Sequence, residues 1–333
     1  MNIQHFFKMN KTASKCAALV LVLILPLLLF GQSKKLVRQG IKLDNPKEQI
    51  QYFTNAIAID NTNLDAYFYR GVAKAEIQDH NSAILDFTKV IFFDADADSY
   101  YNRANSKFML GDFSGAKADY LKAVGIDPKI IRRANFNIGL THFHLGEFYE
   151  ALHYFTTLTT TNPNHLGAHL QTALTLMELG YKEKAMSYFN KSVSLNTSAL
   201  TLYHRGIALL DNDAYKNAAV DFAASLNMDN TNSTAFFYLG ICQLHAGKYS
   251  EALTNFKNVL EFNALDYEAL MGVSIANYHL DLIKTAKQHF HKAKYILNDS
   301  TSKIIFTDKN SDASWERGGI NLLNVYFERL SAL

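Results

Sequence analysis

The chain has 333 residues, with 33 Lys and Arg against 31 Asp and Glu for a formal net charge of +2, and 48% of its side chains are hydrophobic. So even a charge balance supplies neither the basic face that nucleic acid would demand nor a polybasic patch for a membrane surface. Its length would suggest two globular domains, an inference that internal repetition removes, because repeats contact mainly their neighbours and need no single central core.

Residues 1–33 open the chain with Lys8, Lys11 and Lys15, no acidic residue, and an apolar run from Cys16 to Phe30. That is the layout of an export signal. Small residues in Gly31-Gln32-Ser33 predict cleavage after Ser33 or close to it. The competing reading is an uncleaved anchor at 16–30, but the run is short of the ~20 residues that span a bilayer and contains Pro26. Met9 would serve equally as a start, since Lys11 and Lys15 would still precede the run. Cys16 precedes the apolar run, whereas a lipid-modified cysteine follows one. Removing 1–33 takes three lysines and leaves 30 basic against 31 acidic side chains, with Cys242 as the one remaining cysteine. No intramolecular disulfide can then form, and the exported fold, in the periplasm or cell envelope, must hold by packing.

Residues 34–63 read as N-terminal capping helices: a short one from Lys34 to Leu43, then a second from Pro46 to Asp60 that carries Phe53. Phe53 opens a ladder, followed by Phe87, Tyr120, Phe155, Phe189, Phe222, Phe256 and Phe290 at spacings of 34, 33, 35, 34, 33, 34 and 34. Such a period is the signature of a repeat array. Ala83, Ala116, Ala151, Ala185, Ala218, Ala252 and Ala286 lie four residues before the aromatics. Gly71, Ala104, Gly139, Ala173, Gly206, Gly240 and Ser274 lie twelve earlier again.

Each column follows from how two antiparallel helices pack. Where their backbones approach closely, only a very small side chain fits, which predicts Gly71 against Ala83, Gly139 against Ala151, Gly206 against Ala218 and Gly240 against Ala252. The aromatic one turn after each alanine (Phe87, Phe155, Phe222, Phe256) then fills the groove toward the next pair. Glycine in mid-helix costs about 1 kcal/mol against alanine, so close approach is the better reason for its recurrence. Gly111, Gly146, Gly180 and Gly247 end first helices in a left-handed residue. Asp60-Asn61, Asp127-Pro128, Asn162-Pro163, Asn196-Thr197 and Asp229-Asn230 break one pair from the next. Fourteen helices in seven pairs are predicted from Leu64 to about Asn298, with a partial pair at each end.

These columns resemble the tetratricopeptide repeat family: a large residue such as Tyr67, Tyr100 or Phe236, Gly or Ala four later, a turn glycine, then alanine, aromatic and a small apolar residue. Only Pro128 and Pro163 keep the closing proline, and His169 and Ser274 depart from the preferred types. The resemblance implies an all-α fold, a right-handed superhelix of stacked antiparallel helix pairs, with seven repeats over 64–300 (64–96, 97–131, 132–165, 166–198, 199–232, 233–266 and 267–300). Residues 301–333 follow as a linker and capping helix.

Arg70, Arg103 and Arg205 precede the small residue of their first helices. The same three copies, and only those of the seven, carry Asp86, Asp119 and Asp221 sixteen residues later. The co-occurrence predicts structural arginine-carboxylate pairs within or between helix pairs. His165 and His169 have the spacing of two metal ligands on one helical face, but no acidic or cysteine partner is near, so no metal site is expected. His142 with His144, and His289 with His291, point to different faces. Phosphate loops and the sequence signatures of zinc or serine hydrolases are absent; no cofactor and no catalytic residue is assigned, and the chain is read as a non-enzyme.

In the family the first helices line a concave face that binds an extended peptide or a helix. Carried over, that face holds Phe68, Tyr101, Phe136, Leu170, Tyr203, Phe237 and Met271 in one stripe. Val72, Asn105, Leu140, Leu174, Ile207, Ile241 and Ile275 form the next, then Ala75, Phe108, Phe143, Met177, Leu210, Leu244 and Tyr278. Its rim carries Glu76, His144, Glu178, Asp211, His245 and His279. The aromatic members Phe68, Tyr101, Phe108, Phe136, Phe143, Tyr203, Phe237 and Tyr278 are the expected partner-binding residues, since broad aromatic surfaces make hot spots. Close packing among repeats would instead bury the middle stripe. At the end of the chain Trp315, Gly319, Ile320, Leu323, Tyr326, Phe327 and Leu330 read as a capping helix, the alternative being that this segment folds into the groove. The expected function is an exported scaffold for another protein, with self-association left open; the alternative is an accessory subunit of an envelope complex that uses its convex face and takes no peptide.

Overall fold

Short polar or glycine turns interrupt the chain about twice per repeat, and between them every apolar stripe has helical spacing. The computed structural model describes residues 31–298, Tyr326 and residues 329–332. The apolar run at 16–30 and the segment from 299 to 325 lie outside the described residues. Among the described residues the regular elements are all helices: α1 (31–40), α2 (Pro46–Ile59), α3 (Leu64–Glu76), α4 (His80–Phe93), α5 (Ala97–Met109), α6 (Phe113–Ile126), a 3-10 turn (Pro128–Ile130), α7 (Ile131–His144), α8 (Phe148–Thr161), α9 (Leu166–Glu178), α10 (Lys182–Leu195), α11 (Ala199–Leu210), α12 (Tyr215–Met228), α13 (Ser233–His245), α14 (Tyr249–Phe262), α15 (Tyr267–His279) and α16 (Ile283–Asn298). The helices fall into two units, Met1–Tyr154 and Phe155–Leu333, with the boundary inside α8.

Local chemistry sets the helix limits. Asn63, Asp96, Asn232 and Asp266 accept the backbone N–H three residues on and so cap α3, α5, α13 and α15; Ser198 and Thr201 form a capping box at α11. First helices end in a left-handed residue, which is Gly111, Gly146, Gly180 or Gly247 in four turns. In the other three turns the same position is Gln78, Asp213 or Asp281, with φ of 65°, 56° and 59°.

In the first unit α3 packs on α4 and α5 on α6, while α2 with α3, α4 with α5 and α6 with α7 join successive pairs. The second unit repeats this order, with α9 on α10, α11 on α12, α13 on α14 and α15 on α16, joined through α10 with α11, α12 with α13 and α14 with α15. First helices also lie beside first helices, α3 by α5 and α5 by α7 in one unit and α13 by α15 in the other. This is the all-α class, antiparallel pairs stacked as in an α-solenoid. Phe53, Phe87 and Tyr120 in the first unit, and Phe155, Phe189, Phe222, Phe256 and Phe290 in the second, are at most 1% exposed. The alanines one turn before them are fully buried, Ala151 among them.

The glycine column closes on the aromatic ring of its own pair. A Cβ on Gly71 would come within 2.9 Å of the Phe87 ring, one on Gly206 within 2.7 Å of Phe222, and one on Gly240 within 2.8 Å of Phe256. The nearest obstacle to a side chain there is the aromatic ring of the glycine's own pair. Phe256 also reaches across the joint, 2.6 Å from where a Cβ of Gly272 would stand, so one ring is wedged between two successive first helices. Gly139 is buried in α7.

The first pair is tied together through Ser33, close to where the sequence predicts a cut. Ser33 is fully buried in α1; its hydroxyl donates to Ala56 O at 2.9 Å and accepts from Asn63 Nδ2 at 2.8 Å. It ties α1 to α2 and to the cap of α3.

Candidate functional site

Reactive chemistry is sparse. Among the described residues no group of three His, Cys, Asp or Glu side chains is arranged to hold a metal ion. His165 Nδ1 accepts the Ala168 N–H at 3.1 Å as the cap of α9, and His169 Nε2 lies 2.8 Å from Pro163 O. Both rings serve the backbone. Cys242 is buried, and burial pushes its thiol up to about 12, far from the thiolate that nucleophilic chemistry needs.

The arginine and aspartate columns meet as forks. Arg70 Nε and Nη2 donate to the two oxygens of Asp86 at 2.9 and 2.7 Å; Arg103 meets Asp119 at 2.7 and 2.8 Å, and Arg205 meets Asp221 at 2.7 Å twice. The remaining guanidinium nitrogen reaches back to the preceding second helix, to Thr54, Thr88 and Asn190 at 3.4, 3.0 and 3.2 Å. Each arginine therefore ties three consecutive helices. The carboxylate bond holds the Arg103 and Arg205 guanidinium groups further above their ordinary value. Sequence reasoning missed a third member four residues after the arginine: Lys74 and Lys107 reach Asp86 and Asp119 at 2.8 Å.

Where arginine is absent the same positions hold other contacts. His142 stacks on Tyr154 at 5.3 Å, and Asn255 donates to Gln243 at 2.7 Å. Leu239 stands in the arginine column there, and beside it lies a recess of about 670 Å³ lined also by Ala223, Cys242 and Gln243.

The first-helix face takes different forms along the chain. In the first unit Phe68, Tyr101, Phe108, Phe136 and Phe143 are half-buried and Val72 is 36% exposed. Phe68 packs edge-on against Phe87 at 5.9 Å and Tyr101 lies 5.9 Å from Tyr120, so each rests on the core ring behind it and shows its other side. The Arg133 guanidinium lies 4.6 Å over the Tyr101 ring and its charge is met by Asp98. Phe108 and Phe143 pack on Phe113 and Phe148, which open the second helices of their own repeats.

In the second unit Tyr203 is half-buried and lines a recess of about 220 Å³ together with Leu174, Met177, His204, Ile207 and Tyr238. Phe237 departs from expectation. It is 3% exposed, packed on Phe256 at 5.6 Å, and offers no surface. Ile241, Met271 and Ile275 are likewise at most 1% exposed. Tyr278 is half-buried and its ring lies 6.0 Å from that of Tyr326.

Rim histidines are clasps between repeats. His144 stacks on Phe113 at 4.5 Å, His245 on Tyr215 at 3.9 Å and His279 on Tyr249 at 4.0 Å. Each joins the end of a first helix to the start of the preceding second helix.

Sequence models of the tetratricopeptide repeat match residues 97–130, 133–165 and 166–198, and a further model of the same repeat matches 234–262. No curated protein matches the chain in sequence. Among solved structures, the chain is similar to a tetratricopeptide repeat protein from Parabacteroides merdae, with a TM-score of 0.56 and 14% identity over 74% of this chain and 99% of that one. It is similar to pilF of Pseudomonas aeruginosa, with a TM-score of 0.53 and 18% identity over 62% and 94%. The APC/C hetero-tetramer Cut9-Hcn1 gives a TM-score of 0.53 and 18% identity over 81% and 54%. At these identities the likeness is one of fold.

Proposed function

This chain belongs to the tetratricopeptide repeat family, and from that premise we propose that it is a non-catalytic scaffold that holds an extended or helical segment of a partner protein on its first-helix face. One observation carries the reading: Phe68, Tyr101 and Phe136 in the first unit, and Tyr203 at the equivalent repeat position in the second, are aromatic side chains left partly exposed, the residue type of hot spots. Apolar surface of this kind is covered by a partner in working proteins. Export belongs to the same proposal and is supported by the lysines and apolar run that begin the chain.

Capture from cell-envelope extract on immobilised protein tests the scaffold. Tyr101→Ala with Tyr203→Ala is expected to weaken capture at least about tenfold, since truncating a single hot spot costs about 2 kcal/mol or more. Unchanged capture overturns the reading. A second reading, an accessory subunit that docks through its second helices, is favoured by Leu85, Phe92 and Phe93 of α4, which are 70%, 80% and 60% exposed. In the same assay it would make Phe92→Ser with Phe93→Ser the damaging pair.

A further inference from the structure

A second helix and the first helix that follows it meet along a groove, and in the second unit one such groove, between α12 and α13, holds the recess of about 670 Å³. Its α12 wall contains Ala219 and Ala223, one turn apart on one face. At other joints the same two positions carry longer side chains: Ile84 and Thr88, Met186 and Asn190, Leu253 and Lys257. The α13 wall contains Leu239, Cys242 and Ala246. Leu239 and Cys242 are buried, and burial keeps the Cys242 thiol protonated, so this wall carries no charge.

Charge is gathered at one end. The two helices run antiparallel, so the start of α12 lies beside the end of α13, where Tyr215 stacks on His245 at 3.9 Å. Lys216, Lys248 and Glu251 line that end, whereas Ala223 and Leu239 line the other. Glu251 is taken up by Lys248 at 3.4 Å and by Gln243 at 3.2 Å. Asp213, which does not line the recess, accepts the Tyr215 hydroxyl at 2.8 Å. Lys216 is exposed and joins none of the ion pairs among the described residues. The recess is therefore apolar along its length and positive at its mouth.

We infer that this recess is a binding site for a small amphiphile, a long-chain carboxylate whose hydrocarbon lies between α12 and α13 and whose anionic head meets Lys216. The volume falls within the range of about 300–1,000 Å³ that small-molecule sites span, and such sites combine apolar walls with a few polar groups at fixed points. A groove between two helices is elongated, as a hydrocarbon chain is, and the placement of charge at one end gives the ligand a direction. The flexible lysine stem lets the ammonium follow the head while its methylenes cover the chain. None of Phe68, Tyr101, Phe136 or Tyr203 lines the recess, so this site does not depend on protein binding at the first-helix face.

The probe is cis-parinaric acid, a long-chain polyene carboxylate that fluoresces in apolar surroundings, titrated into the full-length chain and full-length variants. The apolar run at 16–30 is common to all of them, so differences between them read the recess. Saturable binding is expected. Ala219→Met/Ala223→Asn, which installs the side chains of the α10 joint, should weaken it at least about tenfold, the scale on which one methylene too many is felt in an apolar pocket. Val220→Asp, at an exposed lining position, should weaken it in the same direction without touching the core, and it alone decides if the double variant loses helical circular dichroism. Lys216→Gln should weaken binding by about two- to fivefold, the scale of an exposed ion pair, and palmitate should displace the probe at a lower concentration than its methyl ester does. Tyr101→Ala/Tyr203→Ala should bind the probe as wild type does. No saturable binding, or wild-type affinity in the variants that fill or charge the recess, overturns the inference. Equal displacement by palmitate and its ester, with Lys216→Gln unchanged, overturns the anionic head. Loss of binding in Tyr101→Ala/Tyr203→Ala would place the ligand on the first-helix face and overturns the site.

Discussion

A half-buried guanidinium is costly unless its donors are met, and Arg103 meets that condition with Asp119 in front and Thr88 behind. Asp119 is 4% exposed and receives Lys107 as well, so one carboxylate balances two cations. Asp119→Ala is therefore expected to cost about 3 kcal/mol, the range seen when one partner of a buried pair is removed. Arg103→Ala should cost less, because Lys107 keeps the carboxylate paired. Urea unfolding of both single variants and the double variant gives the coupling, and a coupling within about 0.5 kcal/mol of zero would show the fork to be idle. The two columns stand out in the sequence because arginine and aspartate arrive in the same three copies. Lys74 and Lys107 escaped notice because lysine four residues on reads as ordinary helix surface, and only the burial of the aspartates reveals that a second cation is drawn in. Phe237 shows the opposite failure: its column names the face it points to, but not whether anything lies over that face.

At the scale of the helix, the periodic columns of Gly71, Ala83 and Phe87 and their copies made the all-α pairing legible, because close packing restricts residue size at fixed spacing. Turns were legible only where glycine marked them. Gln78, Asp213 and Asp281 occupy the same left-handed position with side chains attached, and no residue type announces it. For a residue other than glycine that conformation costs about 1–2 kcal/mol, less for aspartate, whose short polar side chain tolerates it. Gln78→Gly should remove that cost while loosening the unfolded chain by about 0.4–1 kcal/mol. The expected net gain is about 1 kcal/mol, read as a higher urea midpoint by circular dichroism; Asp213→Gly and Asp281→Gly should gain less. A Gln78→Gly protein no more stable than its parent would mean that the turn carries no strain.

For the molecule as a whole, the repeats explain how a chain of this length folds with no disulfide among its described residues: each pair buries its aromatic ring against its neighbours. Under the export proposal, Ser33, held by Ala56 O and Asn63, is expected to stay in the mature chain. Mass spectrometry of the protein isolated from the cell envelope should find an N-terminus at or before Ser33. A mature chain starting at Lys34, equal in thermal stability to one that retains Ser33, would remove that serine from the fold. The small residues of Gly31-Gln32-Ser33 suggested a cut, whereas burial of the hydroxyl is a property of three dimensions that no local motif contains.

Phe256 has one further consequence. Its ring meets a glycine on either side, Gly240 behind and Gly272 ahead, so the seam between two repeats is made from the same kind of part as the interior of one. At two of the equivalent joints the forward neighbour is an aromatic ring, Tyr69 on Phe53 and Tyr238 on Phe222, so a repeat copied into the joint after Phe256 would have to bring a glycine of its own.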